Sequence, residues 1–440
     1  MVFEDYDFTS ADAILEFAKR LTGRSLAEMV DTSNVELNSA HKGDFGSLVE
    51  TIYFDIHPGN SPLPDFPDAG VELKTTGVTP ARAGGFRAKE RLVLSMIDFE
   101  KINFENWDTS SFLIKNKTLL IMFYLYEKAK PLLDRVFVLE PVLYSIPPED
   151  FAQIHADWLT IQGKVKLGLA HEISEGDTFY LAACRKGSGG PNETLRKQPN
   201  SDIGAKARAF SFKPSYVNQI INRQATLNSH NLGDQPLTVE QATTEKLSKF
   251  KGQSLDEICE ELNFTKKKSK SFNRDLVLRM LGGSGKSIQA LDKADIQIKT
   301  IRTDVKGKPR ESMSFRAFKY LDLAKETWED SGFFESLEKK FLFVIFEVDQ
   351  LGNEVFKRFG YWNMPFEDRE EARIVWEKAK SQANLNAKLM PALTESRVAH
   401  VRPKARNSLD TNLTLQGDFL VKKAFWLNKN YIESVISKFN

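Results

Sequence analysis

Hydrophobic positions along the chain alternate between two periods. From Ala11 to Thr22 the apolar residues Ile14, Leu15, Phe17, Ala18 and Leu21 recur at helical spacing, and Ser10 stands in front as an N-cap. Phe45 to Phe54 reads as a second helix, and Asp150 to Gln162 as another. Between them VELKTT (71–76), RLVLSMI (91–97) and TLLIMFYLY (118–126) alternate or run apolar over strand-like lengths. Helices and strands interleave in this way through the whole chain, which predicts a mixed α/β fold.

The pattern also occurs twice. TGRSLAEM (22–29) is echoed by KGQSLDEI (251–258), GVELKTT (70–76) by DIQIKTI (295–301), and KTLLIMFYLY (117–126) by KFLFVIFEVD (340–349). Basic, glycine-bearing loops follow both copies of the second segment. Trp158 precedes Lys186 by the same 28 residues that separate Trp376 from Lys404, and RAFSFKPSYVNQII (208–221) matches KAFWLNKNYIESVI (423–436). Ordered echoes of this kind point to duplication. The expectation is two copies of one domain, 1–225 and 240–440, joined by a polar, turn-rich linker at 226–239 and packed as a pseudo-dimer.

Composition narrows the classes. The chain has 440 residues, 41% hydrophobic and 28% charged, which is ordinary globular composition. No apolar run reaches the roughly 18 residues of a membrane span, and the acidic N-terminus lacks the order of a signal peptide. A cytoplasmic protein without a membrane partner is expected. Two cysteines, Cys184 and Cys259, outside any Cys/His cluster, argue against zinc and against a disulfide framework. A net charge of +1 does not advertise nucleic-acid binding, but basic clusters stand at 185–197, 265–274 and 402–406. GGSGKS (282–287) lacks the first glycine of a phosphate loop, because position 280 is Met280. His41 and His57 flank the acidic segment and read as ordinary loop residues.

Chemistry concentrates in PDFPDAGVELKTT. Residues two apart on a strand share a face, so Glu72 and Lys74 project together. Asp65 lies in the loop before them, Glu50 lies on the preceding helix, and the Leu73 carbonyl between the two side chains is a further candidate ligand. Clustered carboxylates repel by roughly 4 kcal/mol per close pair at an effective dielectric near 20, which a hard divalent cation such as Mg²⁺ relieves. Such a site suits phosphodiester hydrolysis, with Lys74 orienting water and stabilising charge on phosphate. An E-x-K by itself fits a salt-bridged strand edge better; the strand residues Val71, Leu73 and Thr75 around it and the acidic residue on the preceding helix favour the site.

The N-terminal half resembles the MutH-like branch of the PD-(D/E)xK nucleases, which includes the mismatch-repair nicking enzyme and the Sau-type restriction endonucleases. The likeness rests on HKGDFGSLVE, DFPDAGVELKTT, NWDTSSFLIKNKTLLIMF and WLTIQGKVKLGLAHEISEGDTFYLAACRKG; KERLVLSMIDFEKI and SDIGAKARAFS look like the Sau-type enzymes. The resemblance implies a restriction-endonuclease-like α+β fold and an active-site set of Glu50, Asp65, Glu72, Lys74 and Lys115, with Lys117 as the fallback if the register differs. It implies a DNA-reading loop at Arg185, Lys186 and Gly187, cleavage of double-stranded DNA before the G of GATC, and a cognate methyltransferase to protect the host.

In the second copy Arg279 stands where Glu50 would be, Ala290 where Asp65 would be, and Gln297-Ile298-Lys299 where the E-x-K would be. RPKAR (402–406) follows the reading loop of the repair enzyme more closely than CRKGSGG does, which makes Arg402 and Lys404 candidate DNA contacts. The expectation is a C-terminal half that binds a second DNA without cutting it, and chains that associate on DNA. The competing readings are a repair-type nickase and a non-catalytic DNA-binding protein with a vestigial site.

Overall fold

A computed structural model of the chain describes residues 6–30, 44–56, 61–82, 84–187, 193–223, 237–269, 271–283 and 288–439. His41, His57, most of the 226–239 linker and the end of GGSGKS lie outside the described residues.

The first half begins with α1 (Ala11–Lys19), whose cap is the one expected: Ser10 Oγ accepts from Ala13 N–H. The segment read as one helix at 45–54 splits into α2 (Asp44–Leu48) and a π-helical turn, Val49–Tyr53. Strands β1 (Val71–Pro80), β2 (Phe86–Ala88), β4 (Thr118–Leu125) and β5 (Val142–Ser145) form a sheet in the order β2-β1-β4-β5, with β1 and β4 parallel. A second sheet orders β3 (Leu92–Met96), β9 (Arg208–Phe212) and β6 (Leu181–Arg185) as β3-β9-β6, and β7 (Arg196–Gln198) pairs with β8 (Ser201–Ala205). Helix α3 (Ser111–Asn116) leads into β4. Helix α4 (Pro148–Lys166), longer than the periodicity indicated, and α5 (Pro214–Arg223) pack behind the sheets.

The second half opens with four short helices, α6 (Val239–Ser248), α7 (Leu255–Glu261), α8 (Phe272–Met280) and α9 (Gln289–Lys293). Strands β10 (Gln297–Thr303), β12 (Phe341–Val348) and β13 (Glu354–Trp362) then form the sheet β10-β12-β13, in which β10 and β12 are parallel as β1 and β4 are. β11 (Met313–Ala317), β17 (Lys423–Leu427) and β14 (Ala399–Pro403) form β11-β17-β14, and β15 (Thr411–Leu413) pairs with β16 (Phe419–Val421). Helices α10 (Gly332–Leu337), α11 (Phe366–Leu385) and α12 (Lys429–Ile436) occupy the places of α3, α4 and α5 in the element order.

Local hydrogen bonds repeat as well. Ser25 N–H donates to Glu28 and Ser254 N–H to Glu257, each at 2.7 Å, as capping boxes. Gly23 N–H donates to the Phe137 carbonyl and Gly252 N–H to the Phe356 carbonyl.

Three apolar clusters hold the molecule together. One covers the outer face of the first sheet with Ile14, Phe17, Val49, Tyr53, Leu120 and Met122. Another fills the second half around Phe343, Trp376 and Phe425. The third is shared: Ile121, Phe123 and Trp158 of the first half join Leu247, Ile258, Leu276 and Val344 of the second. Period-two alternation explains the division, since β4 and β12 are buried on both faces and feed different clusters from alternate residues.

Around the shared cluster the halves are stitched by polar contacts. Lys293 Nζ lies 2.7 Å from both Asp150 oxygens, Ser215 Oγ donates to the Lys293 carbonyl, and Val239 N–H donates to Gln153. These contacts join unlike surfaces, with α9 of the second half meeting α4 and α5 of the first. Cys184 and Cys259 are buried and unpaired. Among the described residues no helix is long and apolar enough to cross a membrane.

Candidate active site

The acidic segment is shaped by a tight reversal. Gly70 N–H donates to the Pro67 carbonyl, and Gly70 has φ +65°, a left-handed conformation that a side chain resists. The turn lays Phe66 antiparallel against Val71, so the loop runs back along the edge of β1 that β4 leaves open. Asp65 therefore stands beside Glu72. Two bonds lock the pair: Asp65 N–H donates to Glu72 Oε2 at 3.1 Å, and Leu73 N–H donates to Asp65 Oδ2 at 2.9 Å.

Both lysines reach the same carboxylate. Lys74 Nζ is 2.6 Å from Glu72 Oε1, as expected for residues two apart on a strand. Lys115, at the end of α3, places its ammonium 3.6 Å from that oxygen and donates to the Ser61 carbonyl at 3.2 Å. Lys117, the alternative register, caps α3 and is exposed. Leu73 pairs with Leu120 on β4.

Glu50 comes from the π-helical turn, a geometry that recurs at functional sites. Burial pushes its carboxyl above the ordinary glutamate range; Asp65 pushes it further, and Lys74 and Lys115 pull it back. Glu72 is also raised, chiefly by burial, with Lys74 opposing and Asp65 reinforcing. For Glu72, 1% exposed, desolvation outweighs two neighbouring ammoniums. The structure thus brings Asp65, Glu72, Lys74 and Lys115 into direct contact, while among the described residues Glu50 makes no hydrogen bond or ion pair with them and is linked to Asp65, Lys74 and Lys115 through the electrostatics of its buried carboxyl.

Among the described residues no three acidic, His or Cys side chains are already arranged as a ligand set. The chemistry of the donors nevertheless fits a hard divalent cation. All are oxygens, and three carboxylates against two ammoniums leave one negative charge uncompensated when all are ionised.

The expected reading residues lie elsewhere. Arg185, at the end of β6, sits 3.6 Å from Glu329 and 4.6 Å above the Phe334 ring, both in the second half. Lys186 N–H donates to the Ala207 carbonyl. Gly187 has φ +115°, and a Cβ there would meet Glu193 at 2.5 Å. These residues border a cavity of about 860 Å³ between the halves, also lined by Arg91, Glu175 and Lys339. The acidic cluster does not line it. Neither the Ser61 carbonyl that holds Lys115 nor the Glu329–Phe334 seat of Arg185 was among the expected residues, and no local sequence pattern marks either.

In the second half, Arg279 donates to the Gly283 carbonyl, Ala290 lies within α9, and Gln297 turns its amide to Asp295. Arg402 lies 3.8 Å above the Trp426 ring, and Lys404 Nζ donates to the Phe315 carbonyl at 2.6 Å.

Comparison with known proteins puts this geometry in context. The family model for the DNA mismatch repair enzyme MutH matches residues 54–157, a span that holds Asp65, Glu72, Lys74 and Lys115. The chain is 32% identical over 470 aligned positions to the type II restriction enzyme Sau3AI of Staphylococcus aureus, across 96% of this chain and 93% of that protein. It is 26% identical over 221 positions to the DNA mismatch repair protein MutH of Vibrio cholerae serotype O1 (strain M66-2), and 27% identical over 222 positions to MutH of Escherichia coli O17:K52:H18. These matches take 49% and 48% of this chain and nearly all of each MutH protein.

Proposed function

The chain belongs to the MutH-like nuclease family that includes the type II restriction enzyme Sau3AI, and from that premise we propose that it hydrolyses both strands of duplex DNA before the G of GATC. The observation that carries the assignment of the site is the Asp65–Glu72 clamp with two lysines on one carboxylate.

In this reading Asp65, Glu72 and the Leu73 carbonyl hold Mg²⁺, which when bound polarises a phosphoryl oxygen and lowers the pKa of water. Lys74, tethered to Glu72, offers its remaining N–H donors to the attacking water and to charge building on the phosphate. Lys115, steadied by the Ser61 carbonyl, adds a second cation on the phosphate side. Glu50, with its raised pKa, accepts a proton nearer neutrality than an ordinary glutamate does.

The wider organisation follows the same reading. Residues 1–225 form the catalytic copy, 226–239 the linker, and 240–440 a diverged copy without cutting chemistry that binds a second DNA. Matching strand orders and capping boxes support the duplication. The second copy lacks the carboxylates at Arg279, Ala290 and Gln297, so one chain carries one active site. A double-strand break then takes two chains on one site or two successive nicks, which favours association on DNA. A cognate methyltransferase protects the host.

The experiment incubates the intact chain with Mg²⁺ and plasmids carrying one or several GATC sites, beside Lys74→Ala, and sequences the ends. Cuts before GATC that vanish in the variant, faster on the many-site plasmid, support the reading. Ends at another sequence reject the target; equal rates on both plasmids reject the second site.

A further inference from the structure

Helix α4 turns an apolar stripe to the outside. Phe151, His155 and Leu159 follow one another at four-residue spacing along one side of it, and Phe151 and Leu159 are 40% and 46% exposed. The next position on the stripe is Gly163. Glycine is disfavoured inside a helix, and the packing does not call for it here: among the described residues a Cβ at Gly163 would meet nothing within 4 Å. Trp107 backs the stripe, its ring stacked on His155 at 4.8 Å and edge-on to Phe151 at 5.6 Å. At the far end Gln162 Nε2 donates to the carbonyls of Ile102 and Glu105, which sets Phe104, 82% exposed, beside that turn of the helix.

The second copy shows that the fold itself does not ask for this face. Aligning Trp158 with Trp376 lays the start of α4 on the start of α11, and puts Arg373, Glu377 and Ser381 where His155, Leu159 and Gly163 stand. There Arg373 bonds Glu377 at 2.8 Å and lies 3.2 Å from Glu370, which is an ordinary solvent face of a helix. The counterpart of Phe151, Arg369, is buried and donates to the Glu172 carbonyl.

The stripe is also complementary to itself. Its largest side chain, Phe151, and its missing one, Gly163, lie at equal distances on either side of the midpoint between His155 and Leu159, about 18 Å apart at about 1.5 Å per residue. A two-fold axis through that midpoint, with two copies of α4 antiparallel, lays Phe151 of each chain in the notch at Gly163 of the other and His155 on Leu159. The same operation brings the exposed Glu149 of one chain to the exposed Lys166 of the other.

We propose that two copies of this chain meet through their catalytic halves, α4 against α4, when they occupy one recognition site. The inference rests on the reading that a double-strand break brings two chains to one site, and adds the surface and its symmetry. Only the half that must meet its like carries the face. Few side chains form it, against roughly 20–30 residues a side in a stable interface, so the pair forms on the duplex that holds both chains. Trp107 also stacks on Phe112 of α3 at 5.9 Å, so a partner on the stripe bears on the helix that ends beside Lys115.

The test counts chains. The full-length chain with Lys74→Ala is bound in Ca²⁺ to a short duplex carrying one copy of the sequence that the active parent cuts, and sedimentation velocity gives the chains per complex. The same substitutions in the active chain are scored with Mg²⁺ for nicked against linear one-site plasmid. The parent should bind as two chains. Gly163→Phe, which fills the notch, should leave one chain and slow linearisation by about tenfold, while first-strand nicking and the melting temperature hold. Phe151→Ala should act in the same direction more weakly. Combining Phe151→Ala with Gly163→Phe exchanges knob and hole, and should return both the second chain and linearisation. Two chains per complex in Gly163→Phe, or a double variant no better than Gly163→Phe, overturns the α4 contact and leaves the two-chain reading standing. A parent that binds as one chain and linearises by successive nicks overturns both. Weaker duplex binding by Gly163→Phe without a change in chain number would mean that the stripe lies against DNA, and overturns the contact as well. A parent that cuts nothing overturns the nuclease reading and this inference with it.

Discussion

Replacing Lys293 by Met tests how firmly the halves are joined. Lys293 and Asp150 are each 4% exposed at the side chain, and the ammonium contacts both carboxylate oxygens at 2.7 Å. Asp150 also accepts from Tyr216 Oη at 2.8 Å, and that hydroxyl meets Tyr144 Oη at 2.7 Å. Met keeps the apolar stem between the Tyr180 and Tyr216 rings and removes the charge. Asp150 is then a buried carboxylate without its cation, which costs about 3–5 kcal/mol against a total stability of about 5–15 kcal/mol. Urea unfolding in EDTA, followed by tryptophan fluorescence and far-ultraviolet circular dichroism, reads the loss. At a slope of about 3 kcal/mol per molar, the midpoint falls by roughly 1–1.7 M. Adding Asp150→Asn should return much of it, since the orphaned charge disappears. Because the middle cluster draws on both halves, the two signals should move together as one transition. A midpoint shift under about 0.3 M, a double variant no better than the single one, or two separate transitions of which one moves, would refute the reasoning.

Other outcomes follow from the site and the backbone. Glu50 and Glu72 titrate above the ordinary glutamate value of about 4.3, so cleavage should rise with pH through those raised values. Stability in EDTA should run the opposite way: the contribution of the protonated forms is complete below the ordinary value and is lost as pH rises through the raised ones. Glu72→Gln should flatten part of that slope in melting curves while abolishing cutting. Lys115→Met should lower kcat by about 10²-fold or more, the scale for losing one charge-stabilising donor, with little change in KM; a change confined to KM would remove it from the chemistry. Gly168→Ala should cost more than about 1 kcal/mol in the same urea assay, because φ is +71° and the new Cβ would meet the Asn200 carbonyl at 2.5 Å. Ser254→Ala should cost about 1 kcal/mol by opening a capping box.

What could be read from the sequence was what neighbouring residues decide. Ser10 caps its helix, β1 and β4 carry their alternation into the core, and the E-x-K spacing puts Lys74 on Glu72. Strong period-two and helical signals survive folding because burial on a face is what created them. Contacts set by distant segments left no such trace. Nothing around Arg185 announces Glu329 and Phe334, and no local pattern shows that Leu247 and Trp158 share one interior. The helix at 45–54 was legible as a helix but not as a change of pitch, since a π-helical turn uses the same residue types as an α-helical one. The placement of Lys115 came from resemblance, and its physical basis, α3 ending directly before the parallel partner of β1, emerged with the fold.

The change of pitch at Val49–Tyr53 sets a rule about length. A π-helical turn holds one residue more than an α-helical turn, and each helical residue advances the chain by about 100°. Here the turn carries Val49 and Tyr53 into the core, with Tyr53 Oη donating to the Phe17 carbonyl, while the next residue along from Val49, Glu50, carries the carboxylate of the site. Deleting any one residue of the turn would restore a regular helix and swing one side of the segment by a quarter-turn or more. Either the aromatic anchor or the carboxylate would then point the wrong way. Substitutions that spare Glu50 and Tyr53 can be absorbed here one at a time, but a shortened chain cannot, so the residue count of this stretch matters as much as its chemistry.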